Sequence, residues 1–188
     1  MSILKKIKKH HHDKTYCAIF QEVNGKPIDR IGGYIVDYSD HFLVLQESDD
    51  FLLKGYKVVP IETIAKIRHN HIDEYYDNIM RWEKIWDTLN YTHQVDLSSW
   101  TSIFSDIRKL GFNVIIEDQH PEEATFDIGP ITKVTEQSVE IMYFNAEGVL
   151  NRSSTEFKWT DITLVNFDDR YINIFSKYLR EPDPLSQL

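Results

Sequence analysis

Residues 33–45 read GYIVDYSDHFLVL, and this stretch decides the architecture because a similar pattern returns later in the chain. The second pattern, at residues 129–143, reads GPITKVTEQSVEIMY. Gly33 and Gly129 are 96 positions apart, and the intervening spacing of apolar residues is retained. An internal repeat with a long period predicts that one chain contains two copies of a structural unit.

Each copy continues into a second, shorter segment after a charged break. Residues 60–67 read PIETIAKI in the first copy, and residues 158–165 read KWTDITLV in the second. These segments are 98 positions apart, so the second copy carries two more residues in the intervening hairpin.

Short apolar runs separated by turn residues predict strands in both copies. In the first copy we expect five, at residues 15–23, 28–38, 41–46, 56–59 and 64–68. Asn24-Gly25 is a hairpin turn signal, and Gly32-Gly33 inside a strand predicts a sharp bend. Five closely spaced strands with a bend predict a small closed barrel.

The sequence therefore predicts a fold that is mainly β with α: two tandem five-stranded barrels, each followed by a helix. The expected divisions are a flexible basic arm at 1–14, a first barrel at 15–72, a helical linker at 73–111, a second barrel at 112–168, and a short helix with a tail at 169–188.

Two helices are predicted in the linker, at residues 73–89 and 99–110. The first would be capped by Asp73, and its aromatic stripe is expected to pack in a core. That stripe consists of Tyr75, Ile79, Trp82, Trp86 and Leu89. Ser98 or Ser99 would cap the second helix, and Gly111 would end it.

Residues 1–14 hold five lysines and one aspartate, a formal +4, while the whole chain carries −9. The remaining chain is therefore at −13, and so acidic a body disfavours binding to a phosphate backbone. The basic arm itself is expected to be disordered, with an electrostatic arm for nucleic acid or an anionic surface as the alternative.

The composition is typical of a globular protein, with 41% hydrophobic and 27% charged residues. Cys17 is the only cysteine, which excludes an intrachain disulfide and favours a reduced, cytoplasmic setting. No apolar run reaches the ~20 residues of a membrane span. The basic start lacks the apolar region of a secretory signal, so we expect no membrane partner.

The pattern Gly33-x-Ile35 followed by Asp40-x-Phe42-Leu43-Val44-Leu45 resembles the first motif of Sm-like proteins, a class that includes a hexameric bacterial RNA chaperone. The resemblance covers about 50 residues in each half. It implies a bent, five-stranded SH3-like barrel. The family's basic second motif, which contacts RNA, is replaced here by VVP at residues 58–60 and FKW at residues 157–159.

One histidine cluster has the residue types of a metal site: His69, His71, Asp73 and Glu74. No second cluster at a recognised spacing accompanies it, so no metal site is predicted.

Other chemistry-bearing residues also favour structural roles. Cys17 lies in a predicted strand, where a small buried hydrophobe is expected rather than a nucleophile. The adjacent acids Glu117-Asp118 and Glu122-Glu123, with His120 between them, are typical of solvated turns. The sequence contains no nucleophile elbow, phosphate-binding loop or dinucleotide fingerprint. We predict no catalytic residue, no cofactor and no metal.

The sequence thus favours a non-catalytic protein-interaction or assembly module, with a protein partner or self-association. The alternative is an RNA-binding Sm-like protein that uses the lysine arm together with Asp40 and Phe42. An enzyme without a linear motif is the third hypothesis.

Overall fold

The structure, a computed structural model, describes residues 1–28, 30–120 and 124–183. This part of the chain is mainly β, as predicted, with a curled half-barrel sheet and four helices. The helices are α1 Ile3–Asp13, α2 His71–Trp82, α3 Trp100–Lys109 and α4 Arg170–Phe175. The strands are β1 Cys17–Val23, β2 Lys26–Pro27, β3 Ile31–Tyr38, β4 Phe42–Asp49, β5 Leu52–Pro60, β6 Ile64–Arg68, β7 Val114–Asp118, β8 Thr125–Gly129, β9 Ile131–Val134, β10 Ser138–Ile141, β11 Thr155–Lys158 and β12 Leu164–Phe167.

The largest sheet takes strands from both halves of the chain. Its order is β2-β1-β3-β4-β5-β12-β7-β8, with β6 also paired to β1, while β9, β10 and β11 form a smaller sheet. The halves join where β5 pairs antiparallel with β12, placing Val58 opposite Val165. Because one sheet crosses both halves, the division into two closed five-stranded barrels stays a prediction.

Strand pairing in the second half follows that in the first. Leu43 pairs with Val59 between β4 and β5, and Val139 pairs with Phe157 between β10 and β11, which are the positions 96 and 98 residues later. Both ladders keep this correspondence along their shared length.

The ladder irregularities also coincide. The register of β3 against β4 shifts after the pair Ile35–Leu45, and that of β9 against β10 shifts after the pair Ile131–Ile141, each residue lying 96 positions later. Bulges re-aim a strand, so both strands bend at corresponding positions.

Positions 33 and 129 require glycine because the backbone of a neighbouring strand segment lies too close for a side chain. A Cβ atom on Gly33 would collide with the carbonyl oxygen of Gln46, and one on Gly129 with that of Met142. Met142 again lies 96 positions after Gln46, so both glycines admit the same crossing of strands.

The helices preceding the two sets of strands correspond as well. The Ser2 hydroxyl accepts the N–H of Lys5 at the start of α1, and Ser99 accepts that of Ser102 at the start of α3, 97 positions later. Both Ile7 and its counterpart Phe104 are fully buried.

The first fourteen residues differ from the expected flexible arm. Ile7 packs with buried residues of β1, β3 and β4, and we call this cluster the first core. His10, on the same face of α1, is also buried. Lys6 donates from Nζ to the carbonyl oxygen of Ile67 at 3.0 Å. The buried face, not the basic composition, determines that this segment is a helix packed on the sheet.

The main core lies between the halves under α3. It contains Trp100, Ile103, Phe104 and Ile107 of α3 together with strand residues from both halves. One residue of β12, Leu164, instead enters the first core, so this strand contributes to both cores.

α2 differs from prediction at both ends. Its N-cap is Asn70, and Asp73 sits at the third helical position, where its carboxylate accepts the Asn70 N–H at 2.9 Å. The helix ends at Trp82 rather than Leu89, because Lys84 adopts a left-handed φ of 59°.

The α2 aromatic stripe also faces the other way. Tyr75 and Trp82, expected in a core, are 61% and 66% exposed, while Asp73, Asp77 and Met80 are buried. The expected core role for these two residues is therefore wrong. Hydrogen-bond partners for both carboxylates explain the inversion, since a buried charge is tolerated when it is paired.

Each buried carboxylate of α2 has a specific partner. Arg68 donates two hydrogen bonds to Asp73, at 2.9 and 2.8 Å, and Tyr34 donates its hydroxyl to Asp77 at 2.8 Å. Burial alone would raise the pKa of Asp73, but hydrogen bonds from Arg68 and Asn70 outweigh burial and lower it.

The second half ends as the first does, with a helix. Asp169 caps α4 by accepting the N–H of Tyr171 at 2.7 Å. Arg180, expected in a loose tail, forms a parallel bridge with Val149. The rest of the predicted tail, residues 184–188, lies outside the described residues.

Candidate functional site

The outer edge of β11 is unpaired within residues 1–28, 30–120 and 124–183. β11 pairs with β10 on its inner side, and just beyond it the N–H of Trp159 donates to the carbonyl of Gln137. Hydrogen-bonded pairs alternate along an antiparallel ladder, so Glu156 directs its N–H and C=O groups outward and Lys158 its N–H group. The Lys158 carbonyl accepts the N–H of Asp161 at 3.0 Å, which marks the end of the open edge. This edge can accept a further strand.

A tight turn next to this edge projects Glu136. The Thr135 hydroxyl accepts the N–H groups of Gln137 and Ser138 at 3.1 and 2.9 Å, which leaves Glu136 at the tip. The Glu136 carbonyl in turn accepts the Trp159 indole N–H at 2.8 Å. The turn and the indole therefore hold each other in place.

Trp159 is fixed from its other side by α3. Its ring stacks on Phe104, with centroids 5.6 Å apart and planes inclined by 16°. Trp159 is half-buried, so part of its ring remains available to a ligand.

The first half contributes a matching turn. The Ser39 hydroxyl accepts the N–H groups of His41 and Phe42 at 3.1 and 3.0 Å, which places Asp40 at an exposed tip. These atoms correspond to those around Thr135, 96 positions later.

Two depressions meet at Trp159 and Thr160, and we call them together the acidic groove. The first, of about 720 Å³, is lined by Thr135, Glu136, Gln137, Ser138, Glu156, Lys158, Trp159 and Thr160. The second, of about 550 Å³, is lined by Asp40, His41, Phe42, Pro60, Ile61, Glu62, Ser98, Ser99, Trp100, Trp159 and Thr160.

Carboxylates dominate the charge of the acidic groove. Its lining includes Asp40, Glu62, Glu136 and Glu156 against the single lysine Lys158. The groove thus combines an unpaired strand edge, an aromatic ring and negative charge. These groups suit the binding of an extended, positively charged polypeptide.

The hydroxyl groups of the groove are already engaged. Ser138 donates to Glu156 at 2.6 Å, and the Thr135 hydroxyl contacts both the carbonyl and the hydroxyl of Ser138. These contacts position the turn and the edge strand, and they occupy the hydroxyls that a nucleophilic role would need.

The structure disperses the histidine cluster considered for metal binding. His69 Nδ1 contacts the carbonyl of Tyr16 at 2.7 Å, and Asp73 is held by Arg68. His71 is exposed at the start of α2, and Glu74 lies 3.8 Å from His69. Within the described ranges, no three His, Cys, Asp or Glu side chains are grouped to hold a metal ion.

Cys17 is fully buried in β1, and burial raises the pKa of its thiol to about 12. It is therefore a thiol packed in the core rather than a thiolate at neutral pH.

The structure gives partners to the first of the two acidic pairs. Glu117 accepts hydrogen bonds from Asn166 and Gln119, and Asp118 pairs with His120. Glu122 and Glu123 lie outside the described residues.

The residues considered for RNA contact are separated by burial. Asp40 is exposed in the acidic groove, but Phe42 is only 8% exposed. Its ring packs against that of Trp100, with centroids 4.6 Å apart. A buried ring cannot stack on a base.

Sequence reasoning missed the acidic groove because its parts lie in two turns and one edge strand far apart in the chain. The available signal was weak: Glu136 corresponds to Asp40 in the repeat, and Trp159 follows the last strand residue Lys158.

Neither family models, nor curated proteins, nor solved structures gave a match to this chain. In the described part of the chain, each helix is too short or too polar to cross a bilayer.

Proposed function

We propose that this protein is a non-catalytic interaction module that binds an extended basic segment of a partner protein in the acidic groove. The segment would add as a strand to the outer edge of β11. The observation that carries the proposal is the outward orientation of both Glu156 backbone groups and of the Lys158 N–H beside a carboxylate-rich groove.

Charge distribution favours a basic partner over RNA. Residues 73–188 carry 21 Asp and Glu against 10 Lys and Arg, a formal −11, whereas residues 1–72 carry 9 against 11, a formal +2. The acidic groove lies mostly in the negative half, where a phosphate backbone is repelled and a lysine- or arginine-rich segment is attracted.

We also propose that the chain is a tandem duplication of one unit, made of a helix, five strands of Sm-like order and a second helix. The matched registers, matched glycines and matched helix caps support this origin. The role as a binding scaffold follows from the site and not from the fold.

The test is fluorescence anisotropy of labelled ten-residue peptides with the full chain, across a salt series. An alternating Lys-Val peptide should bind, and a Glu-Val peptide of equal length should not. N-methylation of alternate residues, on the side that faces β11, should abolish binding of the Lys-Val peptide, because strand addition needs those N–H groups. Equal binding of the methylated peptide would contradict strand addition.

Protein variants sharpen the assignment. Glu156→Pro removes an outward N–H while leaving the β10 ladder intact, and it should abolish binding. Glu136→Gln with Glu156→Gln should weaken binding about tenfold, whereas the control Glu83→Gln with Asp87→Asn, which changes exposed acids outside the groove, should not. Tight binding of single-stranded oligouridine at physiological salt would instead favour the RNA alternative.

A further inference from the structure

We infer that the exposed face of α2 is a self-association surface on which a second copy of this chain docks. The inference is independent of the acidic groove and goes beyond the proposed function. It starts from an apolar stripe on α2 formed by Ile72, Tyr75, Ile79 and Trp82.

The stripe is turned away from the protein's own cores. Ile72, Tyr75 and Trp82 are 60%, 61% and 66% exposed, and these side chains belong to none of the buried clusters formed by the described residues. Asp73, Asp77 and Met80 on the opposite, buried face of α2 fix the orientation of the helix. A rotation of the helix that buried the apolar stripe would separate Asp73 from Arg68 and Asp77 from Tyr34. The loss of these partners opposes such a rotation.

The tip of the β4–β5 hairpin extends this stripe. Phe51 stacks on Tyr76 with centroids 4.8 Å apart, and it shares a depression with Ile72. Its neighbour Leu52 is 64% exposed. We call Phe51, Leu52 and the α2 stripe together the apolar patch.

A tight turn and a hydrogen bond hold Phe51 in this position. Asp50 and Phe51 join β4 to β5 with left-handed φ values of 48° and 60°, as a two-residue hairpin turn requires, and Tyr76 accepts the Phe51 N–H at 3.0 Å. The Phe51 ring is therefore held against Tyr76 beside the α2 stripe.

The apolar patch is large enough to form most of one side of a protein interface. With about 200 Å² for a fully exposed large side chain, the exposed parts of its residues amount to roughly 600 Å². This area is at the upper end of the roughly 300–600 Å² that the largest apolar patch of a monomer covers, and such patches are often functional. A standard interface buries about 800 Å² per partner, so polar residues around the patch would supply the remainder.

The spacing along α2 fits a second copy in antiparallel orientation. A two-fold axis through the middle of the stripe places Ile72 opposite the second copy's Trp82, and Tyr75 opposite the second copy's Ile79. Each of these contacts then occurs twice, as a two-fold interface requires, and each aromatic ring meets an aliphatic side chain.

Sedimentation velocity of the full chain from 1 to 100 µM tests the inference. We expect a reversible dimer that salt strengthens, because two copies at −9 repel each other and the contact is apolar. Salt would weaken binding in the acidic groove, so the two proposals can fail separately. A monomer throughout this range would overturn the inference.

Variants locate the contact. Trp82→Glu should give a monomer, whereas Phe126→Glu, which changes another apolar residue that is 63% exposed, should leave the dimer unchanged. Loss of the dimer in both variants would indicate unspecific association and overturn the inference. The double variant Tyr75→Cys, Ile79→Cys should form a covalent dimer on mild oxidation, and failure to cross-link would exclude the antiparallel arrangement. A chain that stays monomeric but floats with phosphatidylcholine vesicles would overturn the inference in favour of a lipid surface.

Discussion

The strand pairs β4–β5 and β10–β11 have matching registers, but one face of each pair differs in chemistry. On β4 and β5 this face is apolar and buried, whereas the corresponding positions, on β10, on β11 and directly before β11, are polar. The matched residues are Phe42, Val44, Tyr56 and Val58 in the first half and Ser138, Glu140, Ser154 and Glu156 in the second.

The difference follows from what covers each face. On β4 and β5 this face lies in the main core under α3, whereas β10 and β11 turn their opposite face, with Val139 and Phe157, to that core. β5 also joins β12, whereas β11 ends its sheet. On the second pair, Ser138 bonds to Glu156 and Lys133 pairs with Glu140 at 2.8 Å. Backbone pairing thus sets the architecture of both faces, while side chains determine which one is buried and which one stays open to a ligand.

Exchanging the chemistry of the two faces should give the largest effect. Val58→Glu places a carboxylate at a fully buried position in the joint between halves, and we expect a loss of about 4 kcal/mol or more in unfolding free energy. The reverse exchange, Glu156→Val, changes an exposed edge and should alter stability by less than about 1 kcal/mol. Urea unfolding of both variants measures the contrast, and similar losses would contradict it.

The paired glycines should respond alike. Gly33→Ala and Gly129→Ala each force a methyl group against a backbone carbonyl, and we expect each to cost about 2–3 kcal/mol. Gly25→Ala is the control, because its surroundings are open and only its φ of 74° opposes the change, at about 1 kcal/mol. A large difference between Gly33 and Gly129 would break the correspondence between the two ladders.

The buried faces of α1 and α3 should differ in pH dependence. His10 lies where α3 has Ile107, and burial, followed by the charges of His69 and Lys9, lowers the pKa of His10 from 6.5 to about 4. The unfolded chain therefore binds the proton more readily, so this stability is complete above pH 6.5 and is lost as the pH falls to about 4. Thermal unfolding should show a decline on the order of 2 kcal/mol over this range, which His10→Ile should reduce. An unchanged slope in His10→Ile would assign the decline to carboxylates instead.

The turn hydroxyls should give the smallest effects. Ser39→Ala and Thr135→Ala each leave two backbone N–H groups without their side-chain acceptor, and each should cost about 1 kcal/mol. Thr135→Ala should also weaken peptide binding, because the turn positions Glu136, and Ser39→Ala should do so less. Urea unfolding measures both losses in unfolding free energy. Clearly unequal losses would contradict the equivalence of the two turns.

The strands were accessible from sequence because their signals are local. The expected strand at residues 64–68 is β6, and the Asn24-Gly25 turn has the two left-handed residues that such a hairpin needs. The joint between β5 and β12 was not accessible, since nothing near Val58 indicates a partner at Val165.

The helices show where local pattern misleads. The stripe of Tyr75 and Trp82 looks like a core face, but Asp73 and Asp77 are the buried side because Arg68 and Tyr34 pair with them. Lysine and histidine content suggested disorder before residue 15, although Ile7 anchors a helix there. Long-range partners, which composition does not contain, decide both cases.

The pairing of β5 with β12 also means that, during synthesis, β5 emerges long before the strand that covers its edge. Val58 and Val165 are more than 100 residues apart, so the outer edge of β5 and the gap filled by Leu164 stay open until the last strand leaves the ribosome. At 5–20 residues per second this delay lasts roughly 5–20 s. The nascent chain carries an exposed apolar strand edge for that time. The corresponding edge on β11, which has no partner strand among the described residues, is polar.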